Sequence, residues 1–588
     1  MRFLSYKQMK MLEHTVNKMI KNLITILITV FVVSITTACS NNGQPPPANA
    51  IASAHPLATR AGEQVLAEGG NAFDAAIAVS ATLAVVEPYA SGLGGGGFWL
   101  LYKADSNQYV MLDGREKAPL EAYRDLYLDR FGNPIPGASI TGPLSAGIPG
   151  IPASLVHLAT RYGRLPLGKS LEPAIQIARN GFTIDDVYRK FAQLRLRALR
   201  SYPESARIFL VNGEVPPPGY VLKQEDLAKT LEQLAQQGNA GFYTGSTAEH
   251  MVNDVRAFSG IWQLKDLQDY TVKERAPITT HYKGFKIVAA SPPSSGGVAI
   301  ATMLRMLEHY DLSKMDNATR KHLLIEIMRR AYHDRARFLG DSDYYPVPVG
   351  KLISNENAEH HIKSINLKEA TPSEFLPDAD NPGGAGTDTT HFSILDREGN
   401  RVAATLSINY PFGSCFVPRG TGVLLNDEMD DFSIKPGVPN AYGLVGAQAN
   451  AIESGKRPLS SMTPTFVENK DGVAILGTPG GSRIITMVLL GILEYIDGAD
   501  AKTIVAAPRF HHQYLPDQVI YEDNAFTPEE KSRLLAMGHE LRPNSTTYGE
   551  GQYTYGNMQV VIWNKKKNQV SAASDPRGIG SATVQALP

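Results

Sequence analysis

Cysteine is almost absent. Only Cys39 and Cys415 occur in 588 residues, which excludes a disulfide framework and a cysteine-rich zinc site. An excess of one charge is lacking too. Lys and Arg number 57 against 58 Asp and Glu, so no overall field favours nucleic acid or an anionic membrane surface. Like charges form no long block, and Lys565-Lys566-Lys567 reads as an exposed turn. Neither an internal repeat nor a low-complexity linker breaks the body, which argues for one large domain. The rest of the composition, 43% hydrophobic and 20% charged, is that of an ordinary globular protein.

The apolar run read as a targeting core lies at the N-terminus. Lys18 and Lys21 precede the run from Leu23 to Ile35, and Thr36-Thr37-Ala38 and Cys39 follow it. A positive start, a short apolar core and a small-residue exit form a secretory signal, here residues 1–38, with Met19 as an alternative start. Cys39 after a small residue resembles a bacterial lipoprotein attachment site, which would anchor the chain to a membrane. Ordinary cleavage nearby and an uncleaved anchor stay open. The segment 39–50, with Pro45-Pro46-Pro47, reads as a linker. The body is expected to be exported, to the periplasm or attached to the cell envelope.

Periodicity divides the body. Helical patterns run from His55 to Gly69 and from Ala72 to Val86, the second apolar on most faces and therefore buried. Gly92 to Gly97 leads into a strand, Phe98 to Tyr102, and not into a helix, so it suits close backbone packing better than phosphate binding. Tyr109 to Asp113 completes a hairpin. Helices then dominate: Ile151 to Tyr162, Ser170 to Asn180, Gln224 to Gln237, Thr244 to Phe258, Val298 to Tyr310 and Lys321 to Leu339. From Thr389 the pattern turns to strands. Thr389 to Leu395 and Val402 to Ser407 alternate about the turn Asp396 to Asn400. Val473 to Leu476, Met558 to Trp563 and Val570 to Ala573 are further strands, and Ile484 to Leu493 a helix. Strands on both sides of a helical region imply sheet layers with helices outside.

Thr389 opens this second half. A threonine hydroxyl is a poor nucleophile without a base, but an N-terminal threonine carries one, an α-amine with a pKa of about 7.7–8.0. Freeing that amine requires a cut at Asp388-Thr389, which would make Thr389 the nucleophile and leave Thr390 in support. Cys415 reads as a buried packing thiol. His360-His361 and His511-His512 lack metal-ligand spacing, and neither a metal nor a cofactor is expected.

Several blocks together resemble the gamma-glutamyltranspeptidases. They are Gly92 to Phe98, Asp113 to Pro119, Thr389 to Ser393, Gly413-Ser414, Leu424 to Ser433, Pro458 to Thr465 and Gly477 to Arg483. The resemblance runs from about residue 50 to the end. It implies an α+β fold, the four-layer αββα sandwich of N-terminal-nucleophile hydrolases. It also implies autocatalytic cleavage into a large subunit (51–388) and a small catalytic subunit (389–588) that form one globular unit. Thr389 takes the nucleophile position, and Ser407, where many members carry threonine, would contact its amine. Arg115 would pair with the α-carboxylate of a γ-glutamyl group, joined by Ser460 and Ser461. Asn409, Glu428 and Asp431 would hold the α-ammonium, with either glutamine or glutamate found in the family at the Glu428 position. Gly480 and Gly481 would offer the oxyanion hole, and Tyr442 would gate a lid running from Lys435 to Leu444. Expected partners are glutathione and other γ-glutamyl compounds, with water, amino acids or dipeptides as acceptors. Related cephalosporin and glutaryl acylases generally lack the lid. An uncleaved binding protein of the same fold is the rival of another class.

Overall fold

The computed structural model describes residues 5–11, 13–15, 18–19, 45–376, 389–435, 437–544 and 555–586. The apolar leader, Cys39 and Asp388 lie outside the described residues. Two units are distinguished. In Met1–Pro45, residues 6–11, 13–15 and 18–19 are helical, and Pro46–Pro588 holds the body. Among the described residues no helix is long and apolar enough to cross a membrane.

Two antiparallel sheets form the centre of the body. In spatial order the first has seven strands: Ser581–Ala586, Ala48–Ser53, Thr390–Leu395, Arg401–Ser407, Gly96–Lys103, Gln108–Gly114 and Lys273–Arg275. The second has six: Gln569–Ser574, Gln559–Asn564, Gly472–Gly477, Thr465–Asn469, Phe285–Ala289 and Ile278–Tyr282. The period of two sorts side chains between layers. In the first sheet Trp99, Leu101, Phe392, Ile394, Val402 and Ala404 face a core shared with the helices Ala72–Val86 and Leu167–Asn180. The alternate residues Phe98, Leu100, Ala403 and Ala52 join a core with Phe466, Val467, Ile475 and Val561 of the second sheet. The helices Gly296–Leu307, Asn317–Phe338 and Ile484–Ile496 complete that core. Helices, two sheets and helices again make the expected four layers.

Local chemistry sets the central hairpin. Asp396 Oδ1 accepts the N–H groups of Glu398 and Asn400, both at 2.9 Å, closing the turn between Thr390–Leu395 and Arg401–Ser407. Its Oδ2 accepts the Ala72 N–H at 2.9 Å and so ties the hairpin to the start of helix Ala72–Val86. That helix is capped by Asn71 and Asp74 in a reciprocal box and is buried along its whole length. The glycine-rich run is a close-packing device: a Cβ on Gly95 would lie 2.1 Å from the Ser407 carbonyl oxygen.

Three expectations change. The linker read over 39–50 is shorter, because Ala48–Ser53 is a buried strand between Thr390–Leu395 and Ser581–Ala586. Its alanines are small enough for the crowded space between layers, and this hid it beside the prolines. The helix read from His55 begins at Pro56, with His55 Nδ1 capping the Leu57 N–H at 3.1 Å. The helix Asp186–Ser201 and the short strands Ile278–Tyr282, Phe285–Ala289, Thr465–Asn469 and Ser581–Ala586 were not anticipated.

The contact between sheets can be tested at Gly477. A Cβ there would sit 2.3 Å from Cε1 of the buried His391 ring, which is fixed by Thr405 Oγ1 at 2.8 Å. Gly477→Ala is expected to destabilise the protein by about 1–3 kcal/mol, read as a lowered calorimetric Tm. An unchanged Tm would contradict this packing.

Candidate active site

Thr389 sits at the head of the strand Thr390–Leu395, held between two neighbours of the first sheet and 7% exposed. It lines a small, partly open cavity together with Arg115, Ser407, Asn409, Glu428, Asp431, Tyr442, Ser460, Ser461 and Gly481. Residues drawn from across the sequence therefore meet at one small volume. Gly480 lines a second cavity, which Thr389 and Thr390 share.

Arg115 follows directly on strand Gln108–Gly114 and is 1% exposed. Its Nη1 donates to Glu428 Oε2 at 2.6 Å and its Nη2 to Asp431 Oδ2. Nε donates to the Pro458 carbonyl at 3.2 Å, and Glu116 lies 3.4 Å from Nη1. Three carboxylates thus surround one guanidinium. Burial works against the charge on Arg115, but Glu428, Asp431 and Glu116 outweigh it and hold its pKa above the ordinary value. Burial, with Glu428 beside it, pushes Glu116 well up, and burial also raises Glu428 against the pull of Arg115.

The surrounding loops are built from hydrogen bonds to this group. Glu428 and Asp431 lie on one short 3₁₀ turn, Glu428–Asp431, so both carboxylates point to one arginine. Asn426 holds the turn in place: Oδ1 accepts the Glu428 N–H at 2.9 Å and Nδ2 donates to the Gly94 carbonyl at 2.6 Å. Ser407 Oγ accepts the Asn409 N–H at 2.8 Å. Asn409 has a left-handed φ of 74° and donates from Nδ2 to the Asp427 carbonyl at 3.0 Å. Tyr442 is buried, and its hydroxyl donates to the Asn409 carbonyl at 2.7 Å. Asn440 Nδ2 donates to Asp431 Oδ1 at 3.2 Å, joining the segment read as a lid to the charged cluster. Gly480 and Gly481 take φ of 141° and 55° and lead through a 3₁₀ turn into helix Ile484–Ile496. A Cβ on Gly480 would meet Met487 Cε at 2.4 Å.

Thr390 points away from this cluster. Its Oγ1 donates to Glu87 Oε2 at 2.7 Å, and burial lifts Glu87 to about 7. Sequence reasoning missed Glu87, Glu116, Asn440 and Arg335, whose Nη2 donates to Ser461 Oγ at 3.2 Å. The available signal for Arg335 was a helix, Asn317–Phe338, too rich in charge to be a plain amphipathic surface helix.

Of the histidines read as structural, His361, His511 and His512 are buried and bonded, and His360 is exposed. His361 meets Asp334 at 2.8 Å, His511 meets Thr486 Oγ1 at 2.8 Å, and His512 meets Asp517 at 3.0 Å. Cys415 is a buried free thiol pushed up to about 11 by burial. One group among the described residues, His322, Glu326 and His539, has the spacing to hold a metal. Its atoms are otherwise engaged. Glu326 pairs with Arg330 at 2.7 Å and Arg329 at 3.3 Å, and His322 Nδ1 meets His539 Nε2 at 2.7 Å.

A threonine at the head of a central strand, in one of two stacked antiparallel sheets with helices outside, defines the N-terminal-nucleophile class of hydrolases. The gamma-glutamyltranspeptidase family model matches residues 58–585, and the chain belongs to that family. It is 41% identical to the glutathione hydrolase proenzyme of Pseudomonas sp. (strain A14), over 90% of this chain and 92% of the relative. It is 39% identical to that of Escherichia coli (strain K12), over 91% of both. Among solved structures, a cephalosporin acylase from Bacillus halodurans matches with a TM-score of 0.78 at 25% identity, over 92% of this chain and 97% of that one. The Helicobacter pylori gamma-glutamyltranspeptidase matches with a TM-score of 0.54 at 37% identity, over 58% of this chain and 99% of that one.

Removing Arg115 tests the cluster. In Arg115→Met the three carboxylates stay buried with no cation, and a loss of about 3–5 kcal/mol is expected in urea unfolding near neutral pH. Carboxyls with a folded pKa raised above the unfolded value of about 4.3 stabilise less as pH rises through that value and up to the folded one. The deficit should therefore shrink in acid, where Glu116 and Glu428 are protonated. A deficit of the same size at both ends of that range would contradict the cluster.

Proposed function

We propose that the protein is an autoprocessed γ-glutamyl hydrolase and acyltransferase acting on glutathione and similar γ-glutamyl compounds. The observation that carries the reading is the Arg115–Glu428–Asp431 group in the cavity of Thr389. A γ-glutamyl group presents an ammonium and a carboxylate on one carbon, and only a pocket holding both signs of charge matches it. The names of the relatives, glutathione hydrolase proenzymes, support both the substrate and the processing.

The chain cuts itself at Asp388-Thr389, and 51–388 and 389–588 remain together as one heterodimer. The Helicobacter chain spans 58% of this one, close to the share of the larger fragment, which supports the cut. The freed Thr389 amine, steadied by Ser407, takes the proton of the Thr389 hydroxyl. Oγ then attacks the γ-carbonyl carbon. The N–H groups of Gly480 and Gly481 receive the oxyanion, the amine returns the proton to the departing nitrogen, and cysteinylglycine leaves. Water, an amino acid or a dipeptide resolves the acyl-enzyme. Arg115, Ser460 and Ser461 bind the α-carboxylate, and Asn409, Glu428 and Asp431 bind the α-ammonium, in exchange for contacts that Arg115, Glu428 and Asp431 make with one another. Tyr442 closes the lid over the bound group. The leader makes this an exported enzyme of the periplasm or cell envelope, with Cys39 as a membrane anchor if lipidated.

An acylase of glutaryl type is the second reading, favoured by the fold match to the cephalosporin acylase. Asp431 and the lid argue against it, because a glutaryl group carries no ammonium.

Thr389→Ala should remain one chain on denaturing electrophoresis and lose turnover of a γ-glutamyl anilide by about a thousandfold or more. Two fragments from this variant would refute the assignment. Asp431→Asn should lower kcat/KM for the γ-glutamyl anilide by about tenfold or more while sparing a glutaryl anilide, as expected for one charged hydrogen bond. Equal losses on both would exclude Asp431 from ammonium recognition.

A further inference from the structure

The helix Asn317–Phe338 buries three arginines, Arg329, Arg330 and Arg335, on its inner side. Two of them are ion-paired. Arg329 meets Glu326 and Asp517, and Arg330 meets Glu326 at 2.7 Å. Arg335 differs. It is 5% exposed, and among the described residues its hydrogen bonds go to two serine hydroxyls and to no carboxylate. Burial outweighs Asp431, which favours its charge only from a distance, and holds the Arg335 pKa below the ordinary value. A guanidinium buried with no bonded carboxylate is costly, and an anion entering the pocket would offset that cost.

The two serines lead to the pocket. Arg335 Nη2 donates to Ser461 Oγ at 3.2 Å. Its Nε donates to Ser295 Oγ at 3.1 Å, and Ser295 in turn donates from Oγ at 2.7 Å and from its N–H at 2.8 Å to the Ser460 carbonyl. Ser460 Oγ accepts the Met462 N–H at 3.1 Å. Each hydroxyl oxygen therefore receives a donor from within the protein, and its own proton is left to donate elsewhere. Ser460 and Ser461 both line the cavity of Thr389. Two O–H donors side by side suit the two oxygens of a carboxylate. Arg115 already serves Glu428 and Asp431 and cannot by itself balance a further anion.

We propose that Arg335 is a positioning residue for the substrate α-carboxylate: it donates to Ser461 and so turns that hydroxyl into a donor facing the pocket, braces the Ser460 backbone through Ser295, and supplies the positive charge that Arg115 alone does not. The proposal rests on the γ-glutamyl reading of the pocket. It divides recognition between two arginines, one reading the anion directly and one acting through the serine pair.

Three anilide donors separate the roles: γ-glutamyl, glutaryl (carboxylate without amine) and 4-aminobutyryl (amine without carboxylate). A donor that is not turned over is read as a competitive inhibitor of the γ-glutamyl one. Arg335→Gln should raise KM or Ki about tenfold for the two carboxylate-bearing donors, with kcat nearly unchanged and the 4-aminobutyryl value unmoved, as expected for loss of a charge-assisted network. Arg335→Lys, which keeps the charge and loses the fork, should show a smaller rise with the same selectivity. In a Ser461→Ala background, Arg335→Gln should add little, because both changes remove one path. Equal losses on all three donors, or independent losses in the double variant, would overturn the proposal. So would failure of both Arg335 variants to self-cleave, since that assigns the residue to the fold. Wild-type protein that binds none of the donors would sink the γ-glutamyl reading instead.

Discussion

The buried Arg115 guanidinium is the group on which the site depends. It is bonded to Glu428 and Asp431, which come more than three hundred residues later in the chain. Through it, as through the shared strands of both sheets, the first part of the sequence is joined to the second. The Pro458 and Leu459 carbonyls, at 3.2 and 3.4 Å, seat the following Ser460-Ser461 on the same arginine. Asn440 reaches Asp431 and adds the lid. A set of interactions that would be weak on a surface counts for more here because burial removes most of the competing water.

Most of the layers were legible in the sequence because their signals are strong. Periods of two and 3.6 and the turn at Asp396 to Asn400 each have one physical solution. What was not legible depends on distant packing. Ala48–Ser53 looks like linker beside Pro45-Pro46-Pro47, and only the two strands on either side of it make it a strand. The strands Ile278–Tyr282 and Phe285–Ala289 have five residues each, too few for alternation to stand out. The residues expected to act together do meet around Thr389, with Gly480 on an adjoining cavity that Thr389 shares. Their motif blocks made them visible. Arg335 and Glu87 carry no such mark, and Glu116, though inside the block Asp113 to Pro119, was given no role: a charged residue inside a helix, or next to another, looks like surface until burial is known.

The fold is shared with an acylase, so fold alone does not select the substrate. Selection comes from charge. A glutaryl side chain needs one cation, whereas a γ-glutamyl side chain needs a cation and an anion a few ångströms apart. Arg115 and Asp431 place a cation beside an anion, as the proposed reading requires, and the Tyr442 hydroxyl is bonded to the Asn409 carbonyl at 2.7 Å.

The most direct test of Thr389 as a self-liberated nucleophile is mass spectrometry of protein quenched during turnover of a γ-glutamyl anilide. The account predicts a small fragment whose N-terminal peptide begins at Thr389 and carries the added mass of one glutamyl group on that residue. An intact chain that still turns over the donor, or a fragment with the acyl group on any other residue, would contradict it.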